Sequence, residues 1–492
     1  MLILYNPSST SPDREPLPMS LLALAAVLED QYDYEIVDGN FLTDPGNELI
    51  QILRDRKATT LGMTVMPGPQ LNQAVPLAKR IKQEIPSLPI IWGGYFPTQH
   101  GEVALESGYV DFVVRGQGEL TLLELMDVLH NGGGLSSVNG LMYREGSQIK
   151  QNSERALTPI NDFPRFPYHR VKMERYIRRN YIGGRTTDHN SSFGCPFACN
   201  FCAVVSMSNR RWLPESPKRM ADTFKLLKEH YGVNGILFHD MDFFISEPRV
   251  AEFCDRIKDF GVSWWALGRT DELNRYKEAT WKLMQKSGLK MVFCGAESGS
   301  DYMLSKMNKG GHASAQVTLD LAVKMKQYGI IPEYSFVLGN PPEPEKDIEI
   351  TFDFIRRLKE KNPAVEIILY SYTPVPMNAS GGDSYEHARE AGFEFPSSLE
   401  EWVEDPWRQF AMRREPKTPW LDENIFRKIR NFERVVNAYY PTTTDLKLTA
   451  LNKSVLKTLS GWRYHFGFYN YPIELRVLQR LFSYQRPETT GF

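Results

Sequence analysis

Three cysteines stand close together in residues 194–202, which read Gly-Cys-Pro-Phe-Ala-Cys-Asn-Phe-Cys. Cys195, Cys199 and Cys202 have the spacing C-x3-C-x2-C. Three thiolates on one short loop can hold three irons of a cubane [4Fe–4S] cluster, whereas iron–sulfur clusters usually have four cysteine ligands. The fourth iron would then lack a protein ligand. The spacing therefore predicts a cluster with an open site, where a substrate or cofactor binds and accepts an electron.

Two other interpretations of these cysteines remain open. Zinc takes a closed tetrahedral set of cysteine and histidine ligands, and His189, upstream of Cys195, could be the fourth. The second interpretation is a metal-free set of cysteines packed in the core, although structural cysteines have no reason to gather in a turn with glycine and proline. Cys254 and Cys294 stand alone in apolar segments and are expected to pack as small hydrophobes. Five cysteines in this pattern are no disulfide framework and indicate a reducing, cytoplasmic location.

Length and composition exclude several classes of protein. The 492 residues suggest about three domains. The chain is 42% hydrophobic and 24% charged, which is typical of globular proteins. A net charge of −2 gives no electrostatic case for nucleic-acid binding. No apolar run of about 18 residues is present, and the N-terminus lacks the basic region of a signal peptide, so neither a spanning helix nor secretion is expected.

Residues 1–150 alternate short strands with helices. This alternation predicts a doubly wound parallel sheet, in which ligands bind beyond the carboxyl ends of the strands. The glycines at those ends allow close approach of a ligand or only make tight turns. Strands are predicted at 2–6, 35–37, 60–65, 90–92 and 112–114, and helices at 19–29, 48–56, 70–85 and 120–129. The residues at the strand ends are Ser8, Gly93, Gly94, Tyr95, Phe96, Gly116, Gly118 and Glu119.

The strand ending in Gly93-Gly94, followed by Val-Asp-Phe-Val-Val-Arg-Gly-Gln-Gly-Glu at 110–119, resembles the cobalamin-binding domain that precedes many radical SAM enzymes. That family usually has glutamate where this chain has Gln117. The chain also lacks the D-x-H-x-x-G motif that supplies a histidine ligand to cobalt. The resemblance implies a Rossmann-like cobalamin domain whose cobalt takes no protein histidine. Its binding positions would be the eight strand-end residues named above.

Residues 186–375 contain six strand–helix units, with the cysteines directly after the first strand. The order resembles the partial (β/α)6 barrel of the radical SAM superfamily. Residues 151–185, rich in proline and without periodicity, are expected to link the two domains. Strands are predicted at 185–191, 235–238, 263–266, 291–294, 332–338 and 365–370, and helices at 217–231, 249–260, 272–287, 313–329 and 345–361.

Polar residues follow the later barrel strands, where α/β barrels build their active sites. The segment Gly-Ala-Glu-Ser-Gly-Ser at 295–300 resembles the G-x-E-S-G-S motif of the cobalamin-dependent branch. Each residue alone also fits a helix cap, a surface ion pair or a turn. Their joint occurrence at successive strand ends favours the functional interpretation. The resemblance implies contact with S-adenosylmethionine (SAM) by Phe201, Asp240, Asp242, Arg269, Glu297 and Ser298.

The resemblance implies a radical SAM enzyme that cleaves SAM to a 5′-deoxyadenosyl radical and, with cobalamin, methylates an unactivated carbon of a small molecule. An oxidative cyclase of the anaerobic magnesium-protoporphyrin ester type shares these domains and motifs. A cobalamin- or metal-binding sensor without catalysis is a third alternative. It would usually carry a basic DNA-binding segment, which this sequence does not show. Flavodoxin or ferredoxin would supply the electron, and no residue is assigned as a catalytic acid or base.

Residues 376–492 are rich in aromatic residues and are predicted to form a mainly helical region. Such a region could close the barrel and shape the substrate cavity, or it could only bury apolar surface. Within it, residues 473–482 carry an apolar stripe with basic residues beside it. This pattern fits packing on a core with one solvated face. It also fits contact with an anionic membrane surface, which stays an alternative.

Overall fold

The computed structural model describes residues 1–10, 12–310, 312–375, 384–413 and 415–482. Its first sheet has seven strands in the order β2-β1-β3-β4-β5-β6-β7. The first five pair in parallel, and the last two form an antiparallel hairpin at the β5 edge. The strands are β1 (Leu2–Asn6), β2 (Tyr34–Asp38), β3 (Thr60–Thr64), β4 (Ile90–Gly93), β5 (Phe112–Val114), β6 (Leu141–Glu145) and β7 (Gln148–Gln151).

Helices cover both faces of this sheet, which confirms the predicted doubly wound domain. β1 is buried along its whole length because an apolar core lies on each side of it. The strand order reverses between β1 and β3, which opens a crevice at the carboxyl ends of the strands. The helices are α1 (Met19–Leu28), α2 (Pro45–Asp55), α3 (Pro69–Glu84), α4 (Tyr95–Gln99), α5 (Gly101–Glu106) and α6 (Glu119–Asn131).

The second sheet is a six-stranded parallel sheet in the order β15-β14-β13-β12-β11-β8. A small antiparallel pair, β9 with β10, stands beside the cysteine loop, by which we mean residues 194–202. The predicted partial barrel is therefore confirmed. Its strands are β8 (Thr186–His189), β9 (Ser192–Gly194), β10 (Trp212–Pro214), β11 (Gly235–Phe238), β12 (Ser263–Arg269), β13 (Leu289–Glu297), β14 (Ile331–Leu338) and β15 (Glu366–Ser371).

The barrel helices carry local start signals. In α9 and α13, Ser246 and Ser314 accept a hydrogen bond from a backbone N–H of the first turn. The single helix predicted at 272–287 is instead two helices, Thr270–Asn274 and Glu278–Lys286, and in the break between them the backbone N–H of Lys277 donates to Glu247. The helices are α7 (Val204–Ser208), α8 (Pro217–Tyr231), α9 (Glu247–Ile257), α10 (Thr270–Asn274), α11 (Glu278–Lys286), α12 (Asp301–Lys306), α13 (Ala315–Gln327) and α14 (Pro344–Lys361).

The C-terminal helices divide between the two domains. Phe393, Trp402 and Phe410 pack into the core of the first domain, whereas α18, α19 and α20 pack on the barrel core. No helix in the described parts of the chain is long and apolar enough to cross a bilayer. These helices are α15 (Ser384–Glu390), α16 (Leu399–Trp402), α17 (Asp405–Ala411), α18 (Glu423–Tyr439), α19 (Ala450–Phe466) and α20 (Ile473–Phe482).

Candidate active site

One large cavity, of about 1500 Å³, lies between the carboxyl ends of the two sheets. Residues of both domains line it, so anything bound to the first sheet faces anything bound to the barrel. Most of the residues predicted from the sequence meet in its wall. These are Ser8, Gly93, Gly94, Tyr95, Gly116, Gly118, Glu119, Cys195, Cys199, Phe201, Cys202, Asp242, Arg269 and Glu297.

Hydrogen bonds to neighbouring elements hold the cysteine loop. The backbone N–H of Cys202 donates to the carbonyl of Cys199 at 3.2 Å, which closes the turn between the two thiols. Asn200 donates from its backbone to Met307 at 3.1 Å and from its side chain to Lys306 at 2.7 Å. The loop therefore has a fixed position at the barrel mouth, with all three cysteines in the cavity wall.

The donor set of this loop fits an iron–sulfur cluster. Burial raises the pKa of Cys195 to about 12, with Asp242 and the other two cysteines adding to the effect. Burial, followed by Cys199, also raises the pKa of Cys202. Three neighbouring thiolates in such a site need a cationic partner, and metal ions bind thiols in the deprotonated form. The three cysteines could therefore hold three irons of a [4Fe–4S] cluster.

The zinc alternative with His189 as fourth ligand is wrong. His189 is buried, and both of its ring nitrogens have other partners. Nδ1 lies 2.9 Å from the Tyr168 hydroxyl, and Nε2 lies 3.2 Å from Glu215. Among the described residues, no three His, Cys, Asp or Glu side chains are grouped to bind a single metal ion.

Asp242 offers a free acceptor beside the cysteines. Its Oδ1 accepts from the backbone N–H of Phe244 at 3.1 Å, whereas its buried Oδ2 has no hydrogen-bond partner. Burial raises the pKa of this carboxyl to about 7. A buried carboxylate oxygen without a donor is costly, and the amine of SAM would supply one. Asp242 therefore fits the predicted role in SAM binding.

Arg269 lies directly over the cysteine loop. Its guanidinium donates to Asp271 at 3.0 Å and to the backbone carbonyl of Lys309, and its Nη1 lies 3.4 Å from Cys199 Sγ. Its guanidinium carbon stands 3.9 Å from the centre of the Phe197 ring. A fixed cation at this distance stabilises negative charge on the sulfur.

Lys309 is a site residue that the sequence did not reveal. Its ammonium lies 2.6 Å from Glu297 Oε1, and both side chains are buried in the cavity wall. Burial disfavours the charged form, but Glu297 and Cys199 outweigh it and raise the pKa of Lys309. Glu297 has a φ of +63°, a strained conformation that directs its side chain to this lysine. No periodic pattern marks a lysine in the loop after α12.

Three residues predicted to bind cofactors do not line the cavity. The Asp240 carboxylate is buried behind the loop, where it accepts from the backbone and hydroxyl of Ser191 at 3.1 Å. Ser298 donates to Asp347 at 2.6 Å and joins the loop after β13 to α14. Phe96 packs edge-on against Trp402 in the core of the first domain. The structure places these three side chains among protein partners, and their contact with SAM or cobalamin stays a prediction.

Gly93 and Gly94 line the cavity at the carboxyl end of β4. A β-carbon at Gly93 would meet nothing closer than the Val114 carbonyl oxygen at 3.7 Å, so a side chain there would extend into the cavity. Gly94 has a φ of +97°, and a β-carbon would lie 3.2 Å from Thr64 Oγ1. Gly93 therefore leaves the space above β4 open, whereas Gly94 is required by its positive φ and by the close approach of Thr64 and the Val65 backbone.

The same cavity continues as an apolar slot between the sheet and α1. Ligand pockets are commonly lined by apolar side chains of this kind. The sequence did not predict this slot, because the residues of β1, β3 and β4 that line it are apolar or glycine, as in any buried strand. Its walls are Leu4, Leu24, Gly62, Ile91, Val114 and Leu122.

Gln117 explains one departure from the resembled family. Its side-chain amide donates to the Thr158 carbonyl at 2.9 Å and accepts from the Thr158 backbone N–H at 2.7 Å. A carboxylate could accept but could not donate. The glutamine therefore holds the segment between the two domains against the first sheet.

Asp242→Asn is expected to weaken SAM binding about tenfold to a hundredfold, because an amide cannot replace the charged acceptor.

SAM binding should also depend on pH. In the folded protein the pKa of Asp242 rises from 3.8 to about 7, so protonation of this carboxyl stabilises the unliganded fold. That stabilisation is lost as the pH rises towards 7. SAM affinity in the native protein should therefore increase from pH 6 to 7. Anaerobic calorimetry on cluster-loaded protein measures both effects. A pH slope that survives in Asp242→Asn would contradict the assignment, and the exposed control Asp255→Asn should keep the slope of the native protein.

A partial α/β barrel with an open three-cysteine loop at its strand ends defines the radical SAM enzymes. Residues 189–355 match the family model of the Radical SAM superfamily, and residues 11–126 match that of the B12 binding domain. The chain belongs to the radical SAM enzymes that carry an N-terminal B12-binding domain. Their cofactors are a [4Fe–4S] cluster, SAM and cobalamin.

Relatives and solved structures agree with this family. The chain is 29% identical over 345 residues to an uncharacterized methyltransferase from Pyrococcus horikoshii, covering 69% of this chain and 73% of the relative. It is 26% identical to the anaerobic magnesium-protoporphyrin IX monomethyl ester cyclase of a Synechocystis species, and the match covers 64% of each chain. The fold is similar to that of the cobalamin-dependent radical enzyme OxsB, with a TM-score of 0.67 at 18% identity, covering 98% of this chain and 75% of that one.

Proposed function

We propose that this protein transfers a methyl group to an unactivated carbon of a small molecule, using the cluster, SAM and cobalamin. The single observation that supports it is the shared cavity, whose wall contains both the cysteine loop and the glycines above β4. When bound, the cluster would supply the electron that cleaves SAM, and cobalamin would carry the methyl group. A substrate in this cavity would then be within reach of both SAM and cobalamin.

The residues of the chain have separate tasks in this proposal. Cys195, Cys199 and Cys202 hold the cluster, and Asp242 accepts from the amine of SAM. Arg269 and Lys309 place positive charge beside the cysteine loop, where the carboxylate of SAM would lie. We infer that flavodoxin or ferredoxin reduces the cluster.

The cavity wall inside the barrel is mainly apolar. Trp265, Met291, Phe293 and Ile368 line it, and they would exclude water from a reactive carbon radical. Glu333 is a buried carboxylate in this wall and accepts from the Trp265 indole at 3.1 Å. This composition favours a substrate that is largely apolar and carries a polar group.

The test uses SAM labelled with ¹³C and deuterium in its methyl group. Protein loaded with cluster and cobalamin is reduced and offered candidate substrates, and the products are analysed by mass spectrometry. We expect a labelled methyl group in the product together with 5′-deoxyadenosine. An unlabelled, dehydrogenated or cyclised product would support the cyclase alternative instead. Release of no 5′-deoxyadenosine would contradict both.

A further inference from the structure

The exposed apolar side chains of the described chain concentrate at its C-terminal end. Phe466 is 83% exposed, Leu451 73% and Leu481 70%. On α19 they recur at helical spacing, from Leu451 to Phe466, and on α20 they recur every fourth residue. Apolar patches of this extent on a protein surface mark a contact with another surface. The patch comprises Leu446, Leu451, Leu459, Trp462, Phe466, Phe468, Tyr471, Ile473, Val477 and Leu481.

The two helices are fixed with these side chains outward. Both pack against α18, which buries Leu456 and Tyr464 of α19 and Leu475 of α20. Buried Arg463 donates to the carbonyl of Asn470 at 2.8 Å and to Glu474 at 3.0 Å, and so ties the turn between the helices. The exposed stripes therefore belong to an ordered helical hairpin.

The charges next to the stripes indicate what covers them. Of the six Lys and Arg in residues 446–482, Arg463 is buried and paired with Glu474, the one acidic residue, and Lys457 lies over the Tyr439 ring of α18. Arg476 and Arg480 are exposed and stand beside Ile473 and Val477 on the helical wheel of α20. An amphipathic helix with apolar and basic residues arranged in this way binds in the plane of an anionic bilayer surface.

We propose that the α19–α20 hairpin rests on the surface of an anionic lipid bilayer, with its apolar patch among the acyl chains and its arginines at the phosphates. Leu446 belongs both to this patch and to the cavity wall. Lys447 lines the cavity as well, so the segment that leads into α19 forms part of the cavity wall. If the proposed methyl transfer holds, the substrate is a membrane-resident amphiphile that enters beside Leu446.

Vesicle flotation with the full-length, cofactor-loaded protein tests this proposal. We expect binding to phosphatidylcholine vesicles that contain phosphatidylglycerol and much weaker binding to phosphatidylcholine alone. The double variant Leu459→Asp/Phe466→Asp should lose at least about tenfold in affinity. Arg476→Glu/Arg480→Glu should lose a similar factor on anionic vesicles. Val323→Asp, which places a charge at an exposed apolar residue of α13, is the matched control and should bind as the native protein does.

Three results would overturn the proposal. The native protein could fail to float with anionic vesicles, or the hairpin variants could float unchanged. A stable dimer in solution that Phe466→Asp dissociates would show that a second copy covers the patch instead. SAM cleavage is measured in parallel in detergent-free buffer, so failure of membrane binding and failure of the proposed catalysis are distinguishable.

Discussion

Cys199→Ala is expected to abolish the visible absorbance of the cluster and the cleavage of SAM together. Cys199 is buried at the centre of the cysteine loop, and its sulfur is the one that Arg269 approaches. With two thiolates left, two irons of a cubane would lack protein ligands. The rate of 5′-deoxyadenosine release should fall by at least about three orders of magnitude, which corresponds to roughly 4 kcal/mol of barrier. Iron and sulfide content after anaerobic reconstitution, together with mass spectrometry of the nucleoside, measure the two losses.

Cys254→Ala is the matched control. Cys254 is fully buried in the barrel core, and burial raises the pKa of its thiol to about 12. It does not line the cavity. The variant should keep its cluster and its SAM cleavage while losing about 1 kcal/mol of stability. Retention of both properties in Cys199→Ala, or stoichiometric zinc in anaerobically prepared protein, would contradict the ligand assignment.

The positions of the strands and the cysteine loop could be predicted because their signals are local. A buried run such as Leu2–Asn6 carries apolar side chains on both faces, which is typical of strands covered by helices. The three cysteines lie within one loop, so their C-x3-C-x2-C spacing could be recognised without any knowledge of the fold. The glycines at the end of β4 indicated a cobalamin domain only together with residues 110–119, through the resemblance that both segments carry.

Other parts of the site depend on tertiary contacts that no local pattern encodes. Asp240 and Asp242 both follow β11, but the chain leaves regular geometry there, so the sequence could not tell which one faces the cavity. Lys309 becomes a site residue only through its contact with Glu297 across the barrel mouth. Trp402 and Phe410 belong to the core of the first domain although they lie far along the chain from it.

Gly93→Leu is expected to remove cobalamin binding and methyl transfer while leaving SAM cleavage intact. Gly93 ends β4, paired with Thr64 and Val114, and its backbone does not need a positive φ. A β-carbon there has ordinary contacts, so the domain should fold. The rest of a leucine side chain would occupy the space above the sheet where the macrocycle would lie.

The expected loss is at least about a hundredfold in cobalamin affinity, because overpacking of a rigid site costs about 1–3 kcal/mol before lost contacts are counted. 5′-Deoxyadenosine release should stay within about threefold of the native value, since the cysteine loop is on the other sheet and distant sites act independently. Equilibrium dialysis with aquacobalamin measures the first quantity, and nucleoside analysis measures the second.

Gly134→Leu is the matched control because Gly134 is exposed, has an ordinary φ of −89° and lies outside the cavity in the same domain. It should bind cobalamin as the native protein does. Unchanged cobalamin affinity in Gly93→Leu would mean that the macrocycle lies elsewhere than above β4. The placement of the two sites on different sheets predicts that SAM cleavage and methyl transfer can be lost separately. Equal loss of both activities in Gly93→Leu would contradict this independence.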